Sequence, residues 1–305
     1  MCFLHTLIDD SFYIKGVKIM SIKIVTDSTS YLPESLCKLY DISIVSLNVI
    51  MDGVSQREID LSNDTFYTKM AESREIPTSS QPIPEEMMET FESLIKQGHS
   101  ILGIFISSEM SGTYANSHLM RDLLLEKYPD ADIHFFDSLT NCMQMGFIAV
   151  EAAKAAQAGA SMEEVLERCA YVRQHSRFVF TPEVLTYLQK GGRIGGAAAL
   201  LGNFLQIKPI LTVNPDGKTD VYTKVRTKKK AVAKLIEILL EEIGDKANLE
   251  DVIVHHINCE EEGKALAHAL STQLDKSVSI QSIGPVIGLH VGPGSIGIAY
   301  HYKTH

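Results

Sequence analysis

The sequence contains no tryptophan and no Cys-x-x-Cys pair. An odd number of scattered cysteines argues against both a disulfide framework and a structural zinc site, and it favours a reducing, cytoplasmic environment. We therefore expect no metal. The five cysteines are Cys2, Cys37, Cys142, Cys169 and Cys259.

Motifs that bind nucleotides or mark common catalytic sites are also missing. The chain has no GxxxxGK[ST] phosphate loop, no HExxH, no GxSxG and no GxGxxG after its first predicted strand. No histidine or lysine lies close in sequence to Ser107 or Ser111, so neither serine has a local base. A distant histidine brought near by folding would still supply one, so an enzyme stays open at this point.

Charge and hydropathy argue against further classes of protein. The 28 basic and 38 acidic residues give a net charge of −10, which disfavours generic attraction to nucleic acid or anionic membranes. Residues 277–302 carry no Asp, Glu, Lys or Arg, but repeated glycine and proline argue against a membrane span there. The first twenty residues lack the features of a signal peptide.

The length of 305 residues suggests two domains. Strands alternate with helices in the first half, which predicts a largely parallel sheet. In the second half, Asn214-Pro215-Asp216-Gly217 predicts a hairpin, and three further strands are interspersed with helices. We predict an α/β chain with an N-terminal extension (1–19, Met20 being a candidate start), an α/β domain (20–160) with one strand at 42–50, and an α+β domain (161–305).

Hydroxyl groups follow three predicted strands of the first half, at Asp27-Ser28, Ser107-Ser108 and Asp137-Ser138. A fourth group lies in a predicted loop, Pro77–Pro82. Helix capping and turns explain each group taken singly. Because ligands bind beyond the carboxyl ends of parallel strands, the shared position favours a cup for a carboxylate or phosphate.

Other polar residues each have two interpretations. Arg193 lies in a glycine-rich turn, either at the surface or close to a ligand. His290 lies in a predicted glycine-rich loop, either buried and satisfied or facing an anion. His255 and His256 are adjacent on a strand, so we expect one in the core and one in solvent rather than a metal site. The basic cluster Lys224, Arg226 and Lys228–Lys230 is either a solvated helix start or a docking surface for a phosphate or an acidic partner.

In these segments the sequence resembles the DegV family, bacterial fatty-acid-binding proteins that include the fatty-acid-carrying subunits of fatty acid kinase. The match runs in register from about Ile22 to Ile298. The matching segments are Thr26–Thr29 with Leu32-Pro33, Pro77–Pro82, Ser107–Tyr114, Asp137-Ser138, Lys190–Ile194, Lys208–Leu211, Lys224–Arg226, and Ile283–Pro285 through His290–Gly294.

The resemblance implies a two-domain fold with a long-chain fatty acid, such as palmitate, in a tunnel between the domains. It implies that Ser79, with Thr78, and Ser108, with Ser107 or Ser111, hold the carboxylate. Arg193, His290, Asp27 and Ser28 would form a supporting polar network, and Arg226 would contribute to docking on a separate ATP-dependent kinase that makes acyl phosphate for lipid metabolism. No catalytic residue and no cofactor would be needed in this chain.

The sequence departs from the family pattern at two positions. Ser79 stands where the family usually has threonine, which keeps the hydroxyl and loses a methyl group. Tyr31 replaces the family's acidic residue after the Thr-Asp-Ser-Thr motif, and we do not expect Tyr31 to contact the ligand. Two alternatives use the same hydroxyl cup: a phosphoryl- or acyl-transfer enzyme, and a small-metabolite sensor.

Overall fold

The computed structural model describes residues 13–14, 17–18 and 21–304, so Met20 and most of the predicted extension lie outside the described residues. Helices α1 to α10 are Glu34–Tyr40, Asn63–Glu72, Pro84–Lys96, Thr113–Lys127, Cys142–Gln157, Met162–Gln174, Thr186–Lys190, Lys228–Ile243, Glu260–Leu274 and Pro285–Val291. Strands β1 to β15 are Tyr13–Ile14, Val17–Lys18, Ile22–Asp27, Ser43–Val45, Asn48–Met51, Val54–Arg57, Thr78–Ser80, Ser100–Phe105, Ile133–Asp137, Ser176–Thr181, Lys208–Val213, Thr219–Val225, Leu249–His256, Ser279–Ser282 and Ile296–Tyr302.

The N-terminal half forms the parallel sheet that the alternation of elements predicts. Its order is β4-β3-β8-β9, and every neighbouring pair is parallel. All six residues of β8 are buried, as is typical of a central parallel strand covered on both faces. The carboxyl ends of β3, β8 and β9 therefore lie at one edge of the sheet.

Two predictions about this half are wrong. The single strand expected over 42–50 is divided into β4 and β5, and these belong to different sheets. The segment expected as a loop over 77–82 contains β7, because β7 pairs with β5 through Val49 and Ser79. A small antiparallel sheet β6-β5-β7 therefore lies beside the parallel one and carries Ser79.

The C-terminal half forms a mixed sheet with the order β12-β11-β10-β15-β13-β14, in which only the β13–β14 pair is parallel. The predicted hairpin between β11 and β12 is confirmed. The amide of Gly217 donates to the carbonyl of Asn214 (2.9 Å), and the amide of Asn214 donates to the carbonyl of Lys218 (2.8 Å). The fold class is thus a parallel-sheet domain followed by a separate sheet-rich domain, while the boundary at 160/161 stays a prediction.

Helix α5 lies between the two sheets and contacts β3 on one side and β10 and β15 on the other. Its residues 142–150 are all buried and are apolar except for Gln144, whereas Lys154 and Gln157 near its end are exposed. His255 supports the start of the helix, with its Nε2 accepting the amide of Met143 (3.2 Å). The expectation that one histidine of the 255–256 pair is solvated is wrong: both are buried, because helices cover both faces of this sheet.

The glycine-rich segment expected as a loop around His290 is instead helix α10, with Pro285 in its first turn. Gly288 suggested a break in regular structure, but its missing side chain instead lets the helix approach Tyr67 closely. A Cβ at this position would lie 1.9 Å from the hydroxyl of Tyr67. Among the described residues, no helix is long and apolar enough to cross a membrane.

Helix α6 offers a test of local stability. The Ser161 hydroxyl accepts the amide of Glu164, and the Glu164 carboxylate accepts the amide of Ser161, which forms a capping box. We expect Ser161→Ala to lower the free energy of unfolding by about 1 kcal/mol in urea titrations. Ser277→Ala, at an exposed loop position, is the control. Equal losses in the two variants would contradict the capping role.

Candidate ligand-binding site

A cavity of about 610 Å³ lies between the two halves of the molecule. Its volume falls within the range of small-molecule sites. The polar side chains among its lining residues include Asn48, Ser79, Gln81, Ser111, Asn116, Asn141, Arg193 and His290. Much of the remaining wall is apolar and comes from both halves, including Leu47, Ile106, Met110, Phe178, Phe180, Leu188, Val213, Ile287 and Val291.

Ser79 and His290 meet across the domain boundary in the wall of this cavity. The Ser79 hydroxyl lies 2.9 Å from Nε2 of His290. Burial, and secondarily the positive charge of Arg193, lower the pKa of His290 to about 4, so its imidazole is neutral near pH 7. Arg193 is itself held by a hydrogen bond from its Nε to the carbonyl of Met110 (3.0 Å).

The tautomer of His290 follows from what surrounds the ring. Its Nδ1 is buried and has no hydrogen-bond partner among the described residues. A buried N–H without an acceptor costs more than a bare lone pair, so we assign the proton to Nε2. His290 then donates to the Ser79 oxygen, which leaves the hydroxyl hydrogen of Ser79 free to point at an acceptor in the cavity.

A second cavity of about 500 Å³ adjoins this pair and shares Ser79, Arg193 and His290 with the first. Arg74, Lys190 and the acidic Glu75 also line it, so with Arg193 three cationic side chains and one acidic side chain line the cavity on the outer side of the Ser79–His290 pair. An anionic group bound at Ser79 would therefore lie in a favourable electrostatic field.

The hydroxyls predicted to hold the carboxylate lie in different environments in the structure. Ser111 lines the main cavity, with its hydroxyl 2.9 Å from that of Thr113. Thr78 lines the adjoining cavity instead. Ser107 is buried and donates to the carbonyl of Gly217 (2.8 Å), which ties the two halves together. Ser108 is exposed and lies outside the lining of the main cavity, so the structure gives no support to its predicted contact with the head group.

Asp27 and Ser28 lie behind the cavity wall and brace it. Asp27 is fully buried and accepts the amides of Thr29 (2.9 Å) and Ile106 (2.8 Å), which joins the ends of β3 and β8. Burial raises the pKa of Asp27 to about 6. Arg226 is exposed at the end of β12, outside the cavity lining.

Sequence reasoning missed Glu58, which is only 4% exposed. Its carboxylate accepts hydrogen bonds from Ser28 Oγ (2.6 Å), the Tyr31 hydroxyl (2.7 Å) and the amide of Val286 (2.8 Å). Burial raises the pKa of Glu58 to about 7. Glu58 follows Arg57 and precedes Asp60 in a polar stretch, a pattern typical of a solvated surface, so the sequence held no signal of its burial.

No group of three or more His, Cys, Asp or Glu side chains in the described part of the chain is arranged to hold a metal ion. The polar side of the cavity instead presents hydroxyls, amides and a neutral imidazole. Such groups can donate hydrogen bonds to a bound ligand.

Comparisons with known proteins identify the family to which this chain belongs. A model of the uncharacterised DegV family matches residues 21–303. The chain belongs to the DegV family. A DegV domain-containing protein of Clostridium acetobutylicum is 51% identical, covering 94% of this chain and 99% of that protein. The protein DegV of Bacillus subtilis is 33% identical, covering 93% of this chain and 100% of that protein.

Solved DegV structures share the fold. A fatty-acid-binding DegV family protein of Thermus thermophilus superimposes with a TM-score of 0.85 at 27% identity, covering 93% of this chain and 100% of that one. DegV of Bacillus subtilis, described as a fatty acid binding protein, has a TM-score of 0.82 at 32% identity, with the same coverage. A stearic-acid-binding protein of Eubacterium ventriosum has a TM-score of 0.85 at 29% identity, covering 92% of this chain and 98% of that one. The resemblance and the fold class expected from the sequence are both confirmed.

The packing around His290 yields a test. A Cβ on Gly191 would lie 2.2 Å from Nδ1 of His290 and 3.1 Å from the Tyr187 carbonyl, so Gly191→Ala must displace the imidazole. We expect the imidazole of His290 to become more exposed to water. Its pKa, followed by NMR titration, should therefore rise toward the ordinary value. Gly202→Ala is the control, since no atom lies within 4 Å of a Cβ there. An unchanged His290 spectrum in Gly191→Ala would contradict this packing.

Proposed function

We propose that this DegV family member binds one long-chain fatty acid, such as palmitate, in the main cavity. The carboxylate accepts the free hydroxyl hydrogen of Ser79, with Ser111 as a second donor, and the acyl chain lies along the apolar wall. The observation that supports this most is the position of the neutral Ser79–His290 pair at the edge of an interdomain cavity. The fatty-acid-binding relatives of the same fold support the ligand class.

The energetics are consistent with a carrier. Burying a palmitate tail at roughly 0.8 kcal/mol per CH₂ yields about 11 kcal/mol before the costs of ordering and desolvation. The head group then only has to be hydrogen-bonded, at about 1 kcal/mol per bond. The cationic side chains of the adjoining cavity favour the ionised carboxylate.

The Ser79–His290 contact also suggests a second candidate, an acyl-transfer enzyme with Ser79 as nucleophile and His290 as base. Such a pair normally includes a third group that orients the histidine. Nδ1 of His290 has no partner among the described residues, and its lowered pKa makes it a weak base. These features favour the carrier. Release of acid from an acyl ester, lost in Ser79→Ala, would favour the enzyme instead.

We place the carrier in the cytoplasm, where a separate ATP-dependent fatty acid kinase phosphorylates the bound carboxylate to an acyl phosphate for lipid metabolism. Arg226 supports this partnership as an exposed cation near Lys224, Lys229 and Lys230, which are also exposed. Lys228 differs from them, because it forms ion pairs with Glu183 (3.0 Å) and Glu262 (2.7 Å). An acidic surface on the kinase would complement the exposed cations.

Ligand retention tests the carrier directly. We expect native mass spectrometry of the purified protein to show one bound fatty acid, released on denaturation. Ser79→Ala should weaken palmitate binding about tenfold, as expected for one lost hydrogen bond to a charged group. Ser108→Ala is the matched control and should bind like the wild type. A protein that is empty and takes up no palmitate, or equal losses in both variants, would contradict the proposal.

Kinase docking is tested separately from binding. We expect Arg226→Ala to lower the rate at which a fatty acid kinase phosphorylates the bound palmitate, while the palmitate dissociation constant stays unchanged. The wild-type protein alone with ATP should form no acyl phosphate. Lys246→Ala, which removes a cation paired with Asp275, is the control and should retain the wild-type rate. An unaltered rate in Arg226→Ala would exclude this docking surface.

A further inference from the structure

Helix α10 belongs to the C-terminal domain in sequence but is held at its start by the N-terminal domain. The Glu58 carboxylate accepts the amide of Val286 (2.8 Å), and the Tyr31 hydroxyl accepts the amide of Ile287 (3.1 Å). The Tyr67 hydroxyl donates to the carbonyl of Ile283 (2.8 Å), just before the helix. We name Tyr31, Glu58 and Tyr67 the interdomain clasp.

The clasp supplies the cap that α10 lacks. Gly284 occupies the N-cap position and makes no side-chain capping bond, so the first amides of the helix depend on other acceptors. Glu58 and Tyr31 are those acceptors for Val286 and Ile287. Both are buried, and Ser28 further holds Glu58 by donating to it (2.6 Å).

Contacts at two glycines fix the helix against the clasp. A Cβ on Gly284 would lie 2.7 Å from the Tyr31 ring and 2.8 Å from the Glu58 carboxylate. A Cβ on Gly288 would collide with the Tyr67 hydroxyl. The clasp thus limits both the rotation of α10 and its movement along its axis, because packed surfaces at this distance leave no room for a shift.

His290 lies about one helical turn beyond the amide that Glu58 accepts. Val286, Ile287 and Val291 of the same helix line the main cavity. Ser79, the partner of His290, lies on β7 in the N-terminal domain. The distance between Ser79 and His290 therefore depends on how the N-terminal domain holds the far end of α10.

We infer that Glu58 is a positioning residue for the ligand head group: by capping α10 from the opposite domain, it holds His290 against Ser79. The role of Glu58 depends on its acceptor oxygens and not on a contact with the ligand, since Glu58 is absent from the lining of the main cavity. The statement about ligand affinity rests on the proposed function, whereas the statement about His290 does not.

The hydrogen-bond geometry indicates which substitution at position 58 should preserve the capping of α10. The oxygen of a glutamine at position 58 can accept from both Tyr31 and Val286, as Glu58 Oε1 does. Its amide nitrogen would then face Ser28 Oγ, which already accepts the amide of Leu47 (3.1 Å) and has a second lone pair to accept the glutamine. Glutamine should therefore preserve the cap, and alanine should remove it.

The test compares the palmitate affinities of Glu58→Ala, Glu58→Gln and Ser161→Ala. Ser161→Ala is the control, because it removes a helix cap that lies far from the cavity. We expect Glu58→Ala to weaken palmitate binding about tenfold, because it disturbs the hydrogen bond from Ser79 to the ligand and the loss should match that of Ser79→Ala. Glu58→Gln and Ser161→Ala should stay within about twofold of the wild type. If Glu58→Ala does not fold, Tyr31→Phe removes the acceptor for Ile287 and takes its place.

A double-mutant cycle separates positioning from general destabilisation. If Glu58 acts through the Ser79–His290 pair, Glu58→Ala should cost little further affinity in a Ser79→Ala background. Additive losses would overturn the inference, as would equal losses in Glu58→Ala and Ser161→Ala, or a Glu58→Gln variant as impaired as alanine.

NMR of the His290 imidazole in the free protein is the readout that needs no fatty acid. The ring nitrogens should report a neutral Nε2–H tautomer with a low pKa in the wild type and in Glu58→Gln. Glu58→Ala should return the His290 pKa toward its ordinary value. If the wild type binds no fatty acid but this difference is seen, the proposed ligand fails and the positioning stands. An identical His290 in all variants overturns the positioning.

Discussion

Helix α5 imposes the main constraint on this molecule. Residues 142–150 of this helix are apolar except for Gln144 and are all buried, so this part of the helix has to be covered on every side. The parallel sheet covers one side through β3, and the mixed sheet covers the other through β10 and β15. Because one helix serves both sheets, the two halves are held face to face, and the cavity lies between them.

The cavity owes its chemistry to what burial does to polar groups. Water is largely excluded from the imidazole of His290, which is therefore neutral, and the carboxyl groups of Asp27 and Glu58 behind the wall have raised pKa values for the same reason. These carboxyls are satisfied by amides and hydroxyls of the protein. The cavity wall presents hydroxyls, amides and a neutral imidazole, and cationic side chains outnumber acidic ones in the lining of the adjoining cavity.

Parts of the site were predictable because they depend on short stretches of chain. The hydroxyls after β8 and near β7 were identified through the DegV resemblance, and Ser79 and Ser111 lie at the cavity as the motifs implied. Ser108 belongs to the same motif as Ser111 but is exposed, because the chain turns after β8, where the amides of Met110 and Ser111 donate to the carbonyl of Ser107. A motif therefore located the loop but not the orientation of each side chain within it.

The sequence by itself determined the elements whose signals are local. The alternation of strands and helices implied the parallel sheet, and Asn214–Gly217 implied the hairpin, since turn preferences and hydrophobic periodicity act over a few residues. Only the tertiary structure decided that Pro285–Val291 is a helix and that Glu58 is buried. The amide that Glu58 accepts is 228 residues away in the chain, and its contact forms only once both domains enclose α10. Pairing at that separation leaves no periodic trace in either segment, so it becomes visible only in the folded molecule.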